Sequence, residues 1–168
     1  IPNKVVALRN GTMGWHLEGL AVDSGSELDM PEVGREAIEL AQARTRHVAQ
    51  RFGVKFLSRE RLAQFESDDS RTLFVLDVRS PAEFAKGHLR GAQNAPGGQL
   101  VQATDAYVGV RGARIVLVDD SQVRSIMTAS WLIQMGWHDV WVLDSDTADE
   151  PIETGAVAPI VLGLEGLE

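Results

Sequence analysis

The chain has 168 residues, of which 44% are hydrophobic and 24% are charged, and its formal net charge at pH 7 is -8. This composition is typical of one globular domain with additional segments, and the acidic balance argues against nucleic acid as a partner, because a phosphate backbone would be repelled. The sequence contains no cysteine, which excludes disulfides, thiolate metal ligands and thiol nucleophiles for this chain.

The amino-terminal part of the chain predicts a short strand and a helix followed by a linker. Residues 4–20 contain the apolar run Val5-Val6-Ala7-Leu8, a turn at Asn10-Gly11 and a helix that continues to Leu20. Residues 21–30 are rich in Ser, Gly and Asp, which is typical of a linker. Because the chain enters an apolar stretch at once and opens with Ile rather than Met, we expect it to be a piece of a longer protein.

Residues 31–53 predict a long helix. Pro31 suits its first turn, and Gly53 suits its end. A stripe with helical spacing follows one face, whereas the other face is charged. The stripe consists of Ile38, Ala41, Thr45, Val48 and Phe52.

From residue 54 onward, short strands alternate with helices. The predicted strands are Val54–Phe56, Thr72–Val78, Ala92–Ala95, Ile115–Val118 and Val140–Leu143. Three of them are continuous apolar runs, as in strands that are buried on both faces. This alternation predicts an α/β fold, an open parallel sheet flanked by helices on both faces. In such sheets, ligands bind in the loops at the carboxyl ends of the strands.

Helix signals lie between these strands. Ser58 can cap the first helix, and Ser80-Pro81-Ala82-Glu83 is a capping box with proline at the first helical position. A third helix is predicted over 100–107, and a fourth follows the turn 119–124 and ends at Met135-Gly136. The acidic tail from Ser145 onward is predicted to be a linker.

Several of these residues resemble the rhodanese (sulfurtransferase) family. Asp77-Val78-Arg79, Pro81-Ala82-Glu83-Phe84 and Gly87-His88-Leu89-Arg90-Gly91-Ala92 resemble its first signature. Residues 114–143 are similar to its second half, which consists of a strand, the active-site loop, a helix and a strand. The resemblance implies structural roles: Asp77 and Arg79 would fix the strand end, with Glu83 as a candidate partner, and His88 would stabilise a turn.

The resemblance also assigns the active-site loop, which comprises Asp119, Asp120, Ser121, Gln122, Val123 and Arg124. In the family, the loop opens with a cysteine whose thiolate attacks a sulfane sulfur donor and holds the sulfur as a persulfide. Here Asp119 stands at that position, and Arg124 stands at the closing arginine. A carboxylate cannot carry a persulfide, and at ~4 Å it would repel an anionic donor by about 4 kcal/mol before screening. We therefore predict no catalytic residue, and an ion pair between Arg124 and Asp119.

Residues 4–20 resemble the final strand and helix of a preceding rhodanese domain, so a parent with tandem rhodanese domains would explain the abrupt start of the chain. We accordingly divide the chain into residues 1–30, a remnant of that domain plus a linker; 31–53, a connecting helix; 54–146, the rhodanese-like domain; and 147–168, a linker or tail.

The resemblance implies a catalytically inactive rhodanese-like domain from a multidomain sulfurtransferase-related protein whose parent resembles thiosulfate sulfurtransferase. Its expected role is docking, regulatory or structural. The expected partners are the other rhodanese domains of the same parent protein, and the oligomeric state stays open. No apolar run approaches the roughly 20 residues that cross a bilayer, so we expect a cytoplasmic protein without a membrane partner.

The alternative from another class is a hydrolase-type enzyme that uses Asp119. Aspartyl nucleophiles of the haloacid-dehalogenase type need an Asp-x-Asp motif and a metal, whereas Asp119 is followed by Ser121, and Asp77 by Arg79. The four histidines are far apart and lack ligand spacing, so we predict neither a metal nor a cofactor. The segment from Ile115 also resembles the start of a response-regulator receiver. We reject this interpretation because a receiver needs a lysine later in the chain, whereas no lysine follows Lys86.

Overall fold

The structure is a computed structural model that describes residues 3–25, 33–144 and 152–155. The chain divides into two compact units, residues 1–33 and residues 34–168.

The described residues of the first unit contain one short helix, α1 (Gly11–Leu17), and residues 3–8 before it belong to no strand. The predicted strand at Val5–Leu8 is therefore wrong: a strand needs a neighbouring strand to satisfy its backbone, and among the described residues this segment has none. The helix also ends three residues before the predicted Leu20, since the chain turns at Gly19 with φ +75°.

The second unit is built around a five-stranded sheet. Its strands are β1 (Lys55–Leu57), β2 (Leu73–Asp77), β4 (Gln93–Asn94), β5 (Arg114–Val118) and β6 (Val140–Leu143). They lie in the order β1-β6-β5-β2-β4, and every neighbouring pair is parallel. Two further strands, β3 (His88–Leu89) and β7 (Ile152–Glu153), form a separate antiparallel pair.

Six helices belong to the described part of this unit, and those predicted from the sequence are present with small shifts in their ends. They are α2 (Arg35–Phe52), α3 (Arg59–Glu66), α4 (Pro81–Lys86), α5 (Gly97–Gln102), α6 (Thr104–Tyr107) and α7 (Val123–Gln134). The single helix predicted over 100–107 is instead two short ones, because Ala103 leaves the helical conformation at φ -135°, ψ 58°.

Helices cover both faces of the sheet, which confirms the predicted fold class. The strand residues alternate between two cores: Ile115 and Leu117 face one, and Val116 and Val118 face the other. The first core includes residues of α2, α5 and α7, and the second includes residues of α3 and α4. Because both sides of the central strands are buried, their sequence is continuously apolar.

Helix α2 belongs to the same compact unit as the sheet, whereas we treat residues 31–53 as a connecting helix in the sequence. It begins at Arg35, after Gly34; Pro31 lies outside the described residues. Its predicted end is confirmed, since Gly53 adopts the left-handed conformation at φ 66°. Buried Ala49 anchors the helix in the first core.

The pairing of β3 with β7 gives structure to part of the segment assigned to a linker. His88 pairs with Glu153, and Leu89 pairs with Ile152. The backbone N–H of Gly155 also donates to the carbonyl of Ala85, at 2.9 Å. A strand of two residues is too short to show alternation in the sequence.

Candidate functional site

The loop of residues 119–124 connects the carboxyl end of β5 with the start of α7, as predicted from the sequence. The Asp119 side chain lies at the start of this turn and is 6% exposed. Its Oδ1 accepts a hydrogen bond from Ser125 Oγ at 2.6 Å, and its Oδ2 accepts from Ser121 Oγ at 3.2 Å and from the backbone N–H of Arg124 at 3.1 Å. The carboxylate is thus enclosed by donors of its own loop and helix.

The guanidinium of Arg124 does not pair with Asp119, which corrects our prediction. It forms a bidentate ion pair with Glu83, in which Nη1 and Nη2 each donate to a carboxylate oxygen at 2.9 Å. Nη2 also donates to Asp120 Oδ1 at 3.1 Å. Only the backbone N–H of Arg124 reaches Asp119. The buried carboxylate is satisfied by short local donors, so the long arginine side chain extends to more exposed carboxylates.

Glu83 and Arg124 shift each other's titration in the directions that a close pair requires. Hydrogen bonds from Arg124, together with those from Ser80, lower the pKa of Glu83 to about 2, and the Glu83 carboxylate raises the pKa of Arg124 above its ordinary value. Glu83 is also the last residue of the predicted capping box, which the structure contains in full. One carboxylate therefore joins the start of α4 to the start of α7.

Replacing Glu83 by glutamine is expected to lower the free energy of unfolding by about 1 kcal/mol at neutral pH, a modest figure because solvent screens a partly exposed pair. The pKa of Glu83 is depressed on folding, so its stabilisation is complete above its unfolded value of 4.5 and is lost as the pH falls toward about 2. Urea unfolding from about pH 7 to about pH 3 measures the difference in the free energy of unfolding between the wild type and Glu83→Gln. We expect this difference to become smaller below about pH 4.5. Glu39→Gln on the exposed face of α2 is the control. A difference in unfolding free energy that does not change with pH would contradict the ion pair between Glu83 and Arg124.

Asp77 and Arg79 form a second pair at the end of β2. Asp77 is fully buried, and its carboxylate accepts from Arg79 Nε at 3.0 Å and Nη2 at 2.6 Å. The same guanidinium donates to the carbonyl of Gly87 at 2.7 Å, and Asn94 Nδ2 donates to the carbonyl of Arg79 at 3.0 Å. Glu83, proposed from the sequence as a partner, is bound to Arg124 instead. These contacts hold the strand end and suit a structural role.

His88 is buried on the β3–β7 pair. Its Nδ1 donates to the carbonyl of Phe84 at 2.9 Å, and its ring stacks on the Phe84 ring with centroids 3.6 Å apart. Its other nitrogen lies 3.9 Å from a carboxylate oxygen of Glu153. Both sides of the imidazole are therefore occupied by contacts within the fold, which suits a turn-stabilising residue better than a general base.

Gln42 and Asp144, which we did not select in the sequence, hold the loop from outside. Gln42 of α2 donates to the carbonyl of Ser121 at 3.0 Å. Gln122, at φ 60°, donates from its side chain to Asp144 at 2.8 Å, just after β6. No local pattern marks Gln42 or Asp144, because their role depends on neighbours that are distant in sequence.

A cavity of about 810 Å³ lies beside the loop. Arg124 is its charged lining residue, and Tyr107, Met127 and Trp131 contribute apolar surface. Among residues 3–25, 33–144 and 152–155, no group of three or more acidic or histidine side chains is placed to hold a metal ion. Within the same ranges, no helix is both long and apolar enough to span a bilayer.

Comparison with known proteins identifies the family. The family model for the rhodanese-like domain matches residues 58–148 of this sequence, which is more than half of the chain. The chain therefore belongs to the rhodanese-like domain family. Because it has no cysteine, it lacks the thiol on which the family's sulfur transfer depends. A comparison with curated proteins finds no match.

Among solved structures, the chain is similar to thiosulfate sulfurtransferase from Pseudomonas aeruginosa, with 48% identity and a TM-score of 0.84. The match covers 94% of this chain and 30% of that protein, so the chain spans less than a third of its relative. Two structures share the fold alone, each at 18% identity. A protein from Anabaena has a TM-score of 0.51, with 58% of this chain and 82% of that one covered. A Rhodopseudomonas palustris protein of unknown function, described as a possible tyrosine phosphatase, has a TM-score of 0.52, with 74% and 100% covered.

Proposed function

We propose that this chain is a catalytically inactive rhodanese-like domain of a longer sulfurtransferase-related protein with tandem rhodanese domains. Its role there is to dock onto, regulate or support a domain that carries the reactive cysteine. The observation that carries the proposal is the position of Asp119: a carboxylate, held by three hydrogen bonds, occupies the start of the loop where the family has its sulfur atom.

The charge at the loop supports inactivity. Asp119, Asp120 and Glu83 contribute three negative charges, and Arg124 contributes one positive charge that Glu83 and Asp120 already neutralise. Three minus one leaves a net charge of -2 at a site where the family binds anionic donors. This charge weakens the binding of a dianion such as thiosulfate without preventing its approach, so the missing thiol is the decisive feature.

The amino-terminal unit supports a tandem arrangement. Its apolar side chains are exposed, with Val5 at 73%, Val6 at 76% and Leu17 at 76%. An apolar surface of this kind is typical of a segment that packs against another domain. The match to less than a third of a longer sulfurtransferase is consistent with several domains in the parent.

The hydrolase alternative has no specific observation in its favour. A nucleophilic carboxylate needs a free oxygen that points at the substrate, but both oxygens of Asp119 accept hydrogen bonds from Ser125, Ser121 and the Arg124 backbone. The described residues also hold no acidic cluster for the metal that such chemistry requires.

Replacing Asp119 by cysteine is expected to convert the inert loop into one that accepts sulfur. The new thiolate would be stabilised by the Arg124 backbone N–H, the Ser125 hydroxyl and the start of α7. It would attack the sulfane sulfur of thiosulfate and release sulfite, leaving a cysteine persulfide. Mass spectrometry should show the addition of one sulfur atom, whereas the wild-type chain should stay unmodified and inactive in a thiosulfate:cyanide assay.

Two variants serve as controls for this experiment. Asp120→Cys places the same thiol on the neighbouring residue, whose side chain is 49% exposed, and should retain no sulfur. Asp119→Ser removes the carboxylate without adding a thiol and should stay inactive. Sulfurtransferase turnover by the wild-type chain would contradict the proposal. A folded Asp119→Cys protein that never takes up sulfur would show that Asp119 does not occupy the position of the family's cysteine.

A further inference from the structure

A second cavity, of about 540 Å³, lies at the opposite edge of the sheet, where β5 and β6 begin. Arg71, Arg111 and His138 contribute its basic lining, Asp139 is the acidic residue, and Trp137 forms an apolar wall. None of these residues contributes to the site around Asp119.

The single carboxylate of this cavity is already fully engaged. Asp139 Oδ1 accepts from the Trp141 indole at 2.6 Å, and its Oδ2 accepts from Arg71 Nη1 at 3.0 Å. The Nε of Arg114 lies 3.4 Å from the same Oδ2. One negative charge therefore faces two guanidinium groups, and it leaves no carboxylate oxygen to neutralise further cations.

The local charge is positive although the chain as a whole is acidic. Arg114 has one other carboxylate partner, Asp68 at 3.1 Å, and hydrogen bonds from Ser70, together with Arg114, lower the pKa of Asp68 to about 2. Arg71, Arg111 and Arg114 against Asp68 and Asp139 give three minus two, a net charge of +1. Lys55, whose amine donates to the carbonyl of His138 at 2.9 Å, adds one positive charge, and Asp105, which lines a neighbouring cavity with Arg111 and Trp137, adds one negative charge, so the net charge stays at +1. The whole chain carries -8.

Arg111 is the cation that this arrangement leaves unused. Within the described part of the chain, its guanidinium makes no hydrogen bond or ion pair, and the His138 ring makes none either. Arg71, paired at one nitrogen, is 52% exposed and keeps other N–H groups free. Guanidinium groups bind phosphate and sulfate oxygens through paired, charge-assisted hydrogen bonds.

We propose that this cavity binds a phosphate- or sulfate-type oxyanion, held between Arg111 and Arg71. Two guanidinium groups match the charge of a doubly charged anion better than they match that of a singly charged carboxylate ligand. Trp137 offers a partly buried aromatic surface on which the organic part of a phosphate ester can rest. The site does not depend on the inactivity of the Asp119 loop, so either conclusion stands without the other.

The test is an NMR titration of the full chain with inorganic phosphate and, separately, with phenyl phosphate, at constant ionic strength set with chloride. Saturable shifts are expected at the backbone amides of Arg111, Gly112, Gly136 and His138. Phenyl phosphate binding about threefold or more tightly than phosphate would identify an ester as the ligand; equal affinities would identify the free anion. Acetate should bind more weakly than either.

Arg111→Gln should weaken phosphate binding about tenfold. Arg44→Gln, which removes the same charge from the exposed face of α2, should leave it unchanged, and dispersed spectra would show that both variants are folded. Shifts that never saturate, that lie elsewhere, or that weaken equally in both variants would overturn the proposal.

Discussion

Replacing Asp77 by alanine is expected to lower the free energy of unfolding by about 3–5 kcal/mol. Asp77 is fully buried, and its partner Arg79 is only 17% exposed. Removing the carboxylate leaves a largely buried guanidinium whose remaining acceptor is the carbonyl of Gly87. The loss is therefore mainly the cost of an uncompensated charge, and urea unfolding at neutral pH measures it.

A double-mutant cycle separates that cost from the value of the pair itself. Asp77→Ala combined with Arg79→Met removes both charges, and it should be less destabilising than the sum of the single changes, because no unpaired charge stays behind. Glu153→Ala is the matched surface control: its partner Arg90 is 74% exposed, and we expect a loss of less than about 1 kcal/mol. Additive effects of the two core substitutions would show that Asp77 and Arg79 do not act as a pair.

Replacing Phe84 by alanine is expected to cost about 3–5 kcal/mol, through lost burial and the cavity left behind. Phe84 is 2% exposed, fills the second core beside Leu89 and Val118, and supports the buried ring of His88. It also follows Glu83 directly on α4, so a loosened helix should weaken the contact with Arg124. Thermal unfolding measures the first effect.

The matched control is Phe56→Ala. Phe56 lies on the edge strand β1 and is 40% exposed, so the same truncation should cost less than about 1.5 kcal/mol. Similar losses for the two variants would mean that Phe84 is not a core residue and that α4 is anchored by other contacts.

The loop at Asp119 is supported by contacts from three separate elements, although it carries no thiol. Gln42 contacts it from α2, Glu83 from α4 and Asp144 from the end of β6. Such external hydrogen bonds limit the movement of the loop, and they leave its shape dependent on the whole domain. This is the reason that we expect a single change, Asp119→Cys, to be sufficient for sulfur uptake.

Much of this fold can be predicted from the sequence, because the signals that specify it are local. The apolar runs at β5 and β6 predict buried parallel strands, since both faces of those strands lie in the core. The capping box at Ser80 and the left-handed Gly53 also depend only on neighbouring residues. The family signature and the absence of cysteine are likewise properties of the sequence itself.

Contacts between distant residues were decided by the tertiary structure alone. The partner of Arg124 is Glu83, 41 positions away, and the basic cavity joins Arg71 and Arg111 to His138. The tertiary structure also decided three further features: the pairing of β3 with β7, the inclusion of α2 in the domain and the absence of a strand near Val5. Local propensity and periodicity specify where a helix or strand forms, whereas the choice of ion-pair partner or of a two-residue strand depends on which surfaces the completed sheet brings together.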